Sequence, residues 1–238
     1  MSNVPSLLGQ NSATAAASTV SVSVTVPSGG GYLWVIGTTG AAPSNFSSVT
    51  DSSGSSPGYT QKTSSEDTVN VQSLASYISN APAPAGTYNV TLNLAAGTAG
   101  FNGIAVYLIP NTTGNYTSQA GNYQPAPGTG VTTGASGVLP GQPAVAVGAT
   151  ITTSGAASIT AGSGFTQLGS TVWGTLKANF CFVEYQLLAA TTSLSSTFTS
   201  ANGNPQVSVG GVWLQPLSGG TQGGLDGGLN GGLTGGFS

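Results

Sequence analysis

The chain has 238 residues, of which 38% are hydrophobic and only 3% charged, against about one quarter charged in ordinary soluble domains. Two lysines, five carboxylates and no histidine give a formal net charge of -3. That balance excludes the basic patch needed for nucleic acid or an anionic membrane, and it removes the commonest general base and metal ligand. The single cysteine excludes an intrachain disulfide, and a chain of this length buries a core without one.

Residues 1–17 carry no sustained pattern and are expected to form an N-terminal arm. Neither a basic start nor an apolar stretch of secretory length can be read in them, so the protein is expected to accumulate in the producing cell and leave by lysis. The first clear element is Val20, Val22, Val24 and Val26 alternating with Ser and Thr, the period-two pattern of a strand with one buried face. Pro27 and Gly29-Gly30-Gly31 end it. Within Tyr32 to Thr38 the run Leu33-Trp34-Val35-Ile36 predicts a strand buried on both faces. Further strands are predicted over 69–78, 88–94 and 104–109, each bounded by Gly, Pro or Asn, while Lys62 to Thr68 reads as a polar loop. No segment carries a helical stripe, and β-branched residues dominate the patterned stretches, so the fold class is all-β.

The same landmarks recur in order in the second half, at offsets of 106 to 111 residues. Gly58-Tyr59-Thr60-Gln61 matches Gly164-Phe165-Thr166-Gln167, and Trp34-Val35-Ile36-Gly37 matches Ala146-Val147-Gly148. Ala75-Ser76-Tyr77-Ile78 pairs with Val183-Glu184-Tyr185-Gln186, and Tyr88-Asn89-Val90-Thr91 with Ser196-Thr197-Phe198-Thr199. The segment from Gly103 to Pro110 corresponds to that from Val209 to Pro216. Two β-repeats follow, over 18–115 and 116–217. About five strands in each would form one sheet with an unburied apolar face, so the expectation is a single antiparallel, jelly-roll-like sandwich in which the two sheets face each other. Residues 218–238 form a tail of Gly-Gly-Leu-x repeats. Glycine repeats order at high entropic cost, and Leu225, Leu229, Leu233 and Phe237 are the tail's apolar handles, expected to contact neighbouring subunits.

Candidate chemistry is sparse. Gly54-Ser55-Ser56-Pro57-Gly58 has the spacing of a hydrolase nucleophile elbow, but no histidine exists to activate Ser56. Glu66 and Asp67, with Asp51 before them, lack the regular spacing of a calcium loop, and Lys62 is a ready neutralising neighbour. Glu184 is expected to face solvent if Tyr185 faces in, and Cys181, between two phenylalanines, reads as a buried structural thiol. Neither a catalytic residue nor a cofactor or metal site is expected. Tyr116, Tyr123 and Trp173 fall in predicted loops and could form an aromatic platform for sugars, whereas Trp34, Tyr107 and Trp213 lie in strands and read as core. Asn-x-Ser/Thr sequons at Asn45, Asn89, Asn111 and Asn115 are what the abundance of Ser and Thr produces by composition.

The composition, the paired Gly-Tyr/Phe-Thr-Gln landmarks and the unsignalled N-terminus resemble the Ser/Thr/Gly-rich β-sandwich proteins that decorate tailed-bacteriophage particles, over residues 18–217. The resemblance implies a non-catalytic virion protein, a head decoration or a fibre or appendage subunit. It implies a homo-oligomer with a trimer favoured, attached to major capsid or tail protein through loops or terminal segments. Two other readings are an extracellular adhesin or carbohydrate-binding module, recognising a host-surface glycan through Tyr116, Tyr123 and Trp173, and a surface filament subunit.

Overall fold

The computed structural model describes residues 3–13, 17–40, 46–95, 101–125, 130–133, 141–152, 159–173, 179–190, 194–200 and 206–216, with the backbone alone at 130–132, 170–173 and 179–180. The valine alternation becomes strand β2 (Thr19–Val26), whose residues are alternately exposed and buried along its whole length. Before it lies β1 (Ser6–Ala13), and after it come β3 (Tyr32–Thr39), β4 (Phe46–Asp51), β5 (Tyr59–Asp67), β6 (Gln72–Ser79), β7 (Gly86–Leu94) and β8 (Asn102–Ile109). The second half supplies β9 (Tyr116–Gln124), β10 (Gly130–Thr132), β11 (Ala144–Thr152), β12 (Ile159–Ala161), β13 (Thr166–Trp173), β14 (Asn179–Leu188), β15 (Thr197–Ser200) and β16 (Gln206–Leu214).

All strand pairs are antiparallel. The first eight strands make a five-stranded sheet, β1-β8-β3-β6-β5, and a three-stranded sheet, β2-β7-β4. The second eight repeat this order strand for strand: β9-β16-β11-β14-β13 and β10-β15-β12. Neighbours 1-8-3-6 opposite 2-7-4 follow jelly-roll connectivity, with the fifth strand of each unit attached to the larger sheet. Both β5 and β13 carry a register shift, between Gln61 and Thr63 and between Gln167 and Gly169. The turn glycines before these strands, Gly58 and Gly164, both have positive φ, 67° and 81°.

The two five-stranded sheets face each other. Trp34, Ile36, Leu74, Tyr107 and Ile109 on one side meet Val145, Val147, Ile151, Val183, Val209 and Trp213 on the other in one buried cluster. The opposite face of the first sheet packs Leu33, Val35, Tyr77, Ile104 and Val106 against Val20, Val22, Val24, Val90 and Leu92 of the three-stranded sheet. In the second unit the same role falls to Phe182 against Phe198, in an edge-on contact at 6.2 Å, with Ile159 beside them. The described strands therefore form four layers of three, five, five and three.

This differs from the expected sandwich of two sheets. The central pair of sheets is as expected, but each is covered on its outer face by three further strands. The one-sided valines of β2 need that second layer, because their buried face points away from the central seam. Residues 6–13, expected as an arm, form β1 and pair with β8 from Ser6↔Leu108 to Ala13↔Asn102. The polar stretch Lys62 to Thr68, expected as a loop, lies for the most part in β5. It is an edge strand, where polar and charged side chains are tolerated and discourage edge-to-edge pairing.

One paired landmark is out of frame. Tyr77 packs inside the first sandwich, whereas Tyr185 packs against the central seam. Matching the two tyrosines displaced β6 against β14 by one residue, and in a strand a slip of one exchanges the two faces.

Edge strands of the facing sheets also touch. The Ser65 hydroxyl donates to the Asn122 carbonyl at 2.6 Å, and the Gly121 N–H donates to the Thr63 hydroxyl at 3.1 Å. Gly121 is required there, since a Cβ would collide with the Ser64 carbonyl oxygen of β5.

Candidate functional site

The acids are placed by turns and strands that use them internally. Asp51 closes β4 and accepts hydrogen bonds from the Ser53 N–H (2.9 Å), the Ser53 hydroxyl (2.6 Å) and the Ser56 hydroxyl (3.0 Å). Partial burial alone would raise its pKa, but these bonds together hold the carboxyl below its ordinary value. Ser56, the residue of the nucleophile-elbow pattern, is thus a donor that braces the turn between β4 and β5.

Asp67 is fully buried at the end of β5. Its carboxylate accepts the N–H groups of Val69 (3.0 Å) and Asn70 (2.9 Å), the Asn70 side-chain amide (2.7 Å) and the Gln72 amide (3.3 Å). The Tyr123 hydroxyl reaches the same carboxylate from β9. Its partners are neutral donors, not the Lys62 expected from sequence. The carboxylate folds the β5–β6 turn in the manner of an Asx turn, and Glu66, next to it on the strand, points to the other face. Among the described residues no group of three or more His, Cys, Asp or Glu could hold a metal.

Glu184 departs furthest from expectation. It is 0% exposed, because β14 belongs to a sheet covered on both faces: Tyr185 turns to the central seam and Glu184 into the second sandwich. One carboxyl oxygen accepts the Gly162 N–H at 2.9 Å, while the other has no hydrogen-bond partner. Burial pushes its pKa up to about 7, against the opposing pull of the Gly162 and Thr197 backbone donors. Cys181 is buried in the seam, and burial pushes its thiol well above the ordinary range.

The aromatic residues divide in two. Trp34, Tyr107 and Trp213 are core residues of the seam, with Trp34 and Tyr107 centroids 5.7 Å apart. Tyr116 and Tyr123, expected in loops as part of a sugar platform, stand in β9 and pack on that same seam. Tyr116 meets Trp213 edge-on at 4.9 Å and its hydroxyl donates to the Gly210 carbonyl at 3.1 Å. Gly211 leaves the room for its ring. β9 reads as loop because Ser, Gln, Gly and Asn separate its tyrosines, yet as an edge strand it needs only one apolar face. Trp173 ends β13, and its side chain lies outside the described residues. Of the three aromatics of the expected sugar platform, Tyr116 and Tyr123 are thus partly buried against the seam.

Sequence reasoning missed a buried polar network in the second sandwich. The Gln119 amide oxygen accepts the hydroxyls of Thr133 (2.7 Å) and Ser196 (3.2 Å), and its NH2 donates to the Leu194 carbonyl at 2.8 Å. The Ser196 N–H returns to the Thr133 hydroxyl at 2.9 Å. Satisfied polar networks of this kind fix register, and the small Gly148 opposite Ser196 and Phe198 makes room for it. At the surface, the β5–β6 turn exposes Val69 (78%) and Val71, whose φ of 55° is unusual for a β-branched residue. Leu225, Leu229, Leu233 and Phe237 lie outside the described residues.

No family model and no curated protein matches the sequence. Among solved structures the chain is similar to the major capsid protein P2 from bacteriophage PM2, at 10% identity and a TM-score of 0.25, over 89% of this chain and 97% of that one. The likeness to a phage capsid protein is faint, and the superposition is too loose to establish a shared fold or function.

Proposed function

We propose that the chain is a non-catalytic structural subunit of a virion, a head-decoration or appendage protein that acts by assembling with copies of itself and with capsid or tail protein. The observation that carries this reading is the duplicated jelly-roll order, 1-8-3-6-5 over 2-7-4 in both halves, joined through one apolar seam. Jelly rolls recur in capsid proteins and in lectins, so the fold supports the reading by analogy only. The side chains weigh toward assembly: Asp51, Asp67, Glu184, Cys181 and Tyr116 are each engaged inside the fold. The near absence of charge leaves little repulsion between copies.

The test is quantitative mass spectrometry of particles purified from lysates of the source cells. The chain is expected in fixed ratio to the major capsid protein, sedimenting with intact particles. Its presence only in the soluble fraction would overturn the proposal.

A further inference from the structure

The last described residues and an open groove of the first sandwich lie side by side. The Leu214 carbonyl, at the end of β16, accepts the Thr113 N–H at 2.9 Å, and Trp213 stands against Tyr32 with ring centroids 5.4 Å apart. Tyr32 and Thr112, the neighbour of Thr113, are walls of a groove of about 610 Å³ whose other walls include Val4, Pro5, Pro27, Leu108 and Pro110. That volume is in the range of sites that hold small ligands, roughly 300–1,000 Å³. No charged side chain lines the groove. Its prolines offer no N–H donors, and the buried Thr112 hydroxyl has no hydrogen-bond partner. Ser6, Ser28 and Asn111 add polar side chains to walls that are otherwise apolar or glycine.

From Pro216 the sequence runs into the segment that repeats Leu225, Leu229, Leu233 and Phe237 between glycine pairs, with Asp226 as its one charge. Apolar side chains set four residues apart fall on one face of an extended chain, and the glycines permit close backbone approach. The eight residues from Leu217 to Gly224 reach up to about 28 Å, far more than the step from Leu214 to Thr112 requires. A short tether also gives its own segment an effective concentration of about millimolar, so a second copy competes only at comparable protein concentrations.

We propose that this groove is the docking site of the chain's own Gly-Gly-Leu-x segment, with leucines of that segment seated against Pro27, Leu108 and Pro110. This occupancy does not depend on the virion reading, and its test is separate from the particle analysis. A nitroxide on Thr234→Cys in the full chain, with Cys181 buried and unlabelled, reports contact through amide NMR intensities. At least a two-fold intensity loss is expected at Gly30, Gly31 and Asn111, and none at Val69 on the far turn. Replacing Leu225, Leu229, Leu233 and Phe237 together by Ser should restore full intensity while core resonances stay in place. Unchanged groove intensities overturn the proposal, as does a loss that survives the serine substitutions. So does a loss seen when untagged isotope-labelled chain is mixed with tagged unlabelled chain, because the occupant is then a second copy.

Discussion

Glu184 makes the fold's stability depend on pH between about 4.5 and 7. Its folded pKa of about 7 stands above the ordinary 4.5 because burial disfavours the charged form. Below pH 4.5 both folded and unfolded chains hold the proton, and the stabilising contribution is complete. Between 4.5 and 7 the unfolded chain releases its proton while the folded one keeps it, so stability falls as pH rises, and above 7 the loss is complete. The interval corresponds to about 3 kcal/mol, at 1.36 kcal/mol per tenfold. With no histidine in the chain, no side chain of ordinary pKa masks the slope. Asp51, whose pKa is lowered, contributes with the opposite sign and loses its contribution only as pH falls below about 4. Urea unfolding from pH 4 to pH 8.5 is the assay. With a denaturant slope of about 3 kcal/mol/M, the midpoint should fall by about 1 M across the window. Glu184→Gln, an isostere of the protonated acid, should flatten the profile and exceed the wild type above pH 7. A flat wild-type profile, or a slope that persists in Glu184→Gln, would refute the reasoning.

Three further outcomes follow from packing. Gly211→Ala drives a methyl group into the Tyr116 ring and should cost about 1–3 kcal/mol in chemical denaturation, while Gly141→Ala, with open space around its Cβ, should be neutral. Val71→Asn keeps the turn but replaces a β-branched residue at φ 55° with one that tolerates the left-handed region, so it should gain about 1 kcal/mol, read as a rise in Tm of about 2–4 °C. Cys181 should resist thiol reagents at pH 8 in the native protein and react at once in urea; fast native labelling would contradict its place in the seam.

What the sequence made legible was the set of strands with an apolar signature. Val20 to Val26, Leu33 to Ile36, Tyr88 to Leu94 and Ile104 to Ile109 all lie in strands. All five pairs of landmarks fall on strands, or strand starts, that occupy equivalent places in the two units. The strands that escaped, β1, β4 and β5 with their counterparts β9, β12 and β13, are all edges of their sheets, where Ser, Thr, Gln and Asn serve as well as valine and look like turns in isolation. Missing them hid the number of layers. With only five strands in each repeat, a single pair of facing sheets accounts for every apolar face. With eight, the apolar runs of β3, β8, β11 and β16 have two sides to fill, and each large sheet must sit between a partner sheet and its own three-stranded cover. The same count explains Glu184. A carboxylate on a strand of a two-layer sandwich alternates out to water, but on the inner sheet of a four-layer stack neither direction leads to solvent, and the residue titrates near neutrality instead.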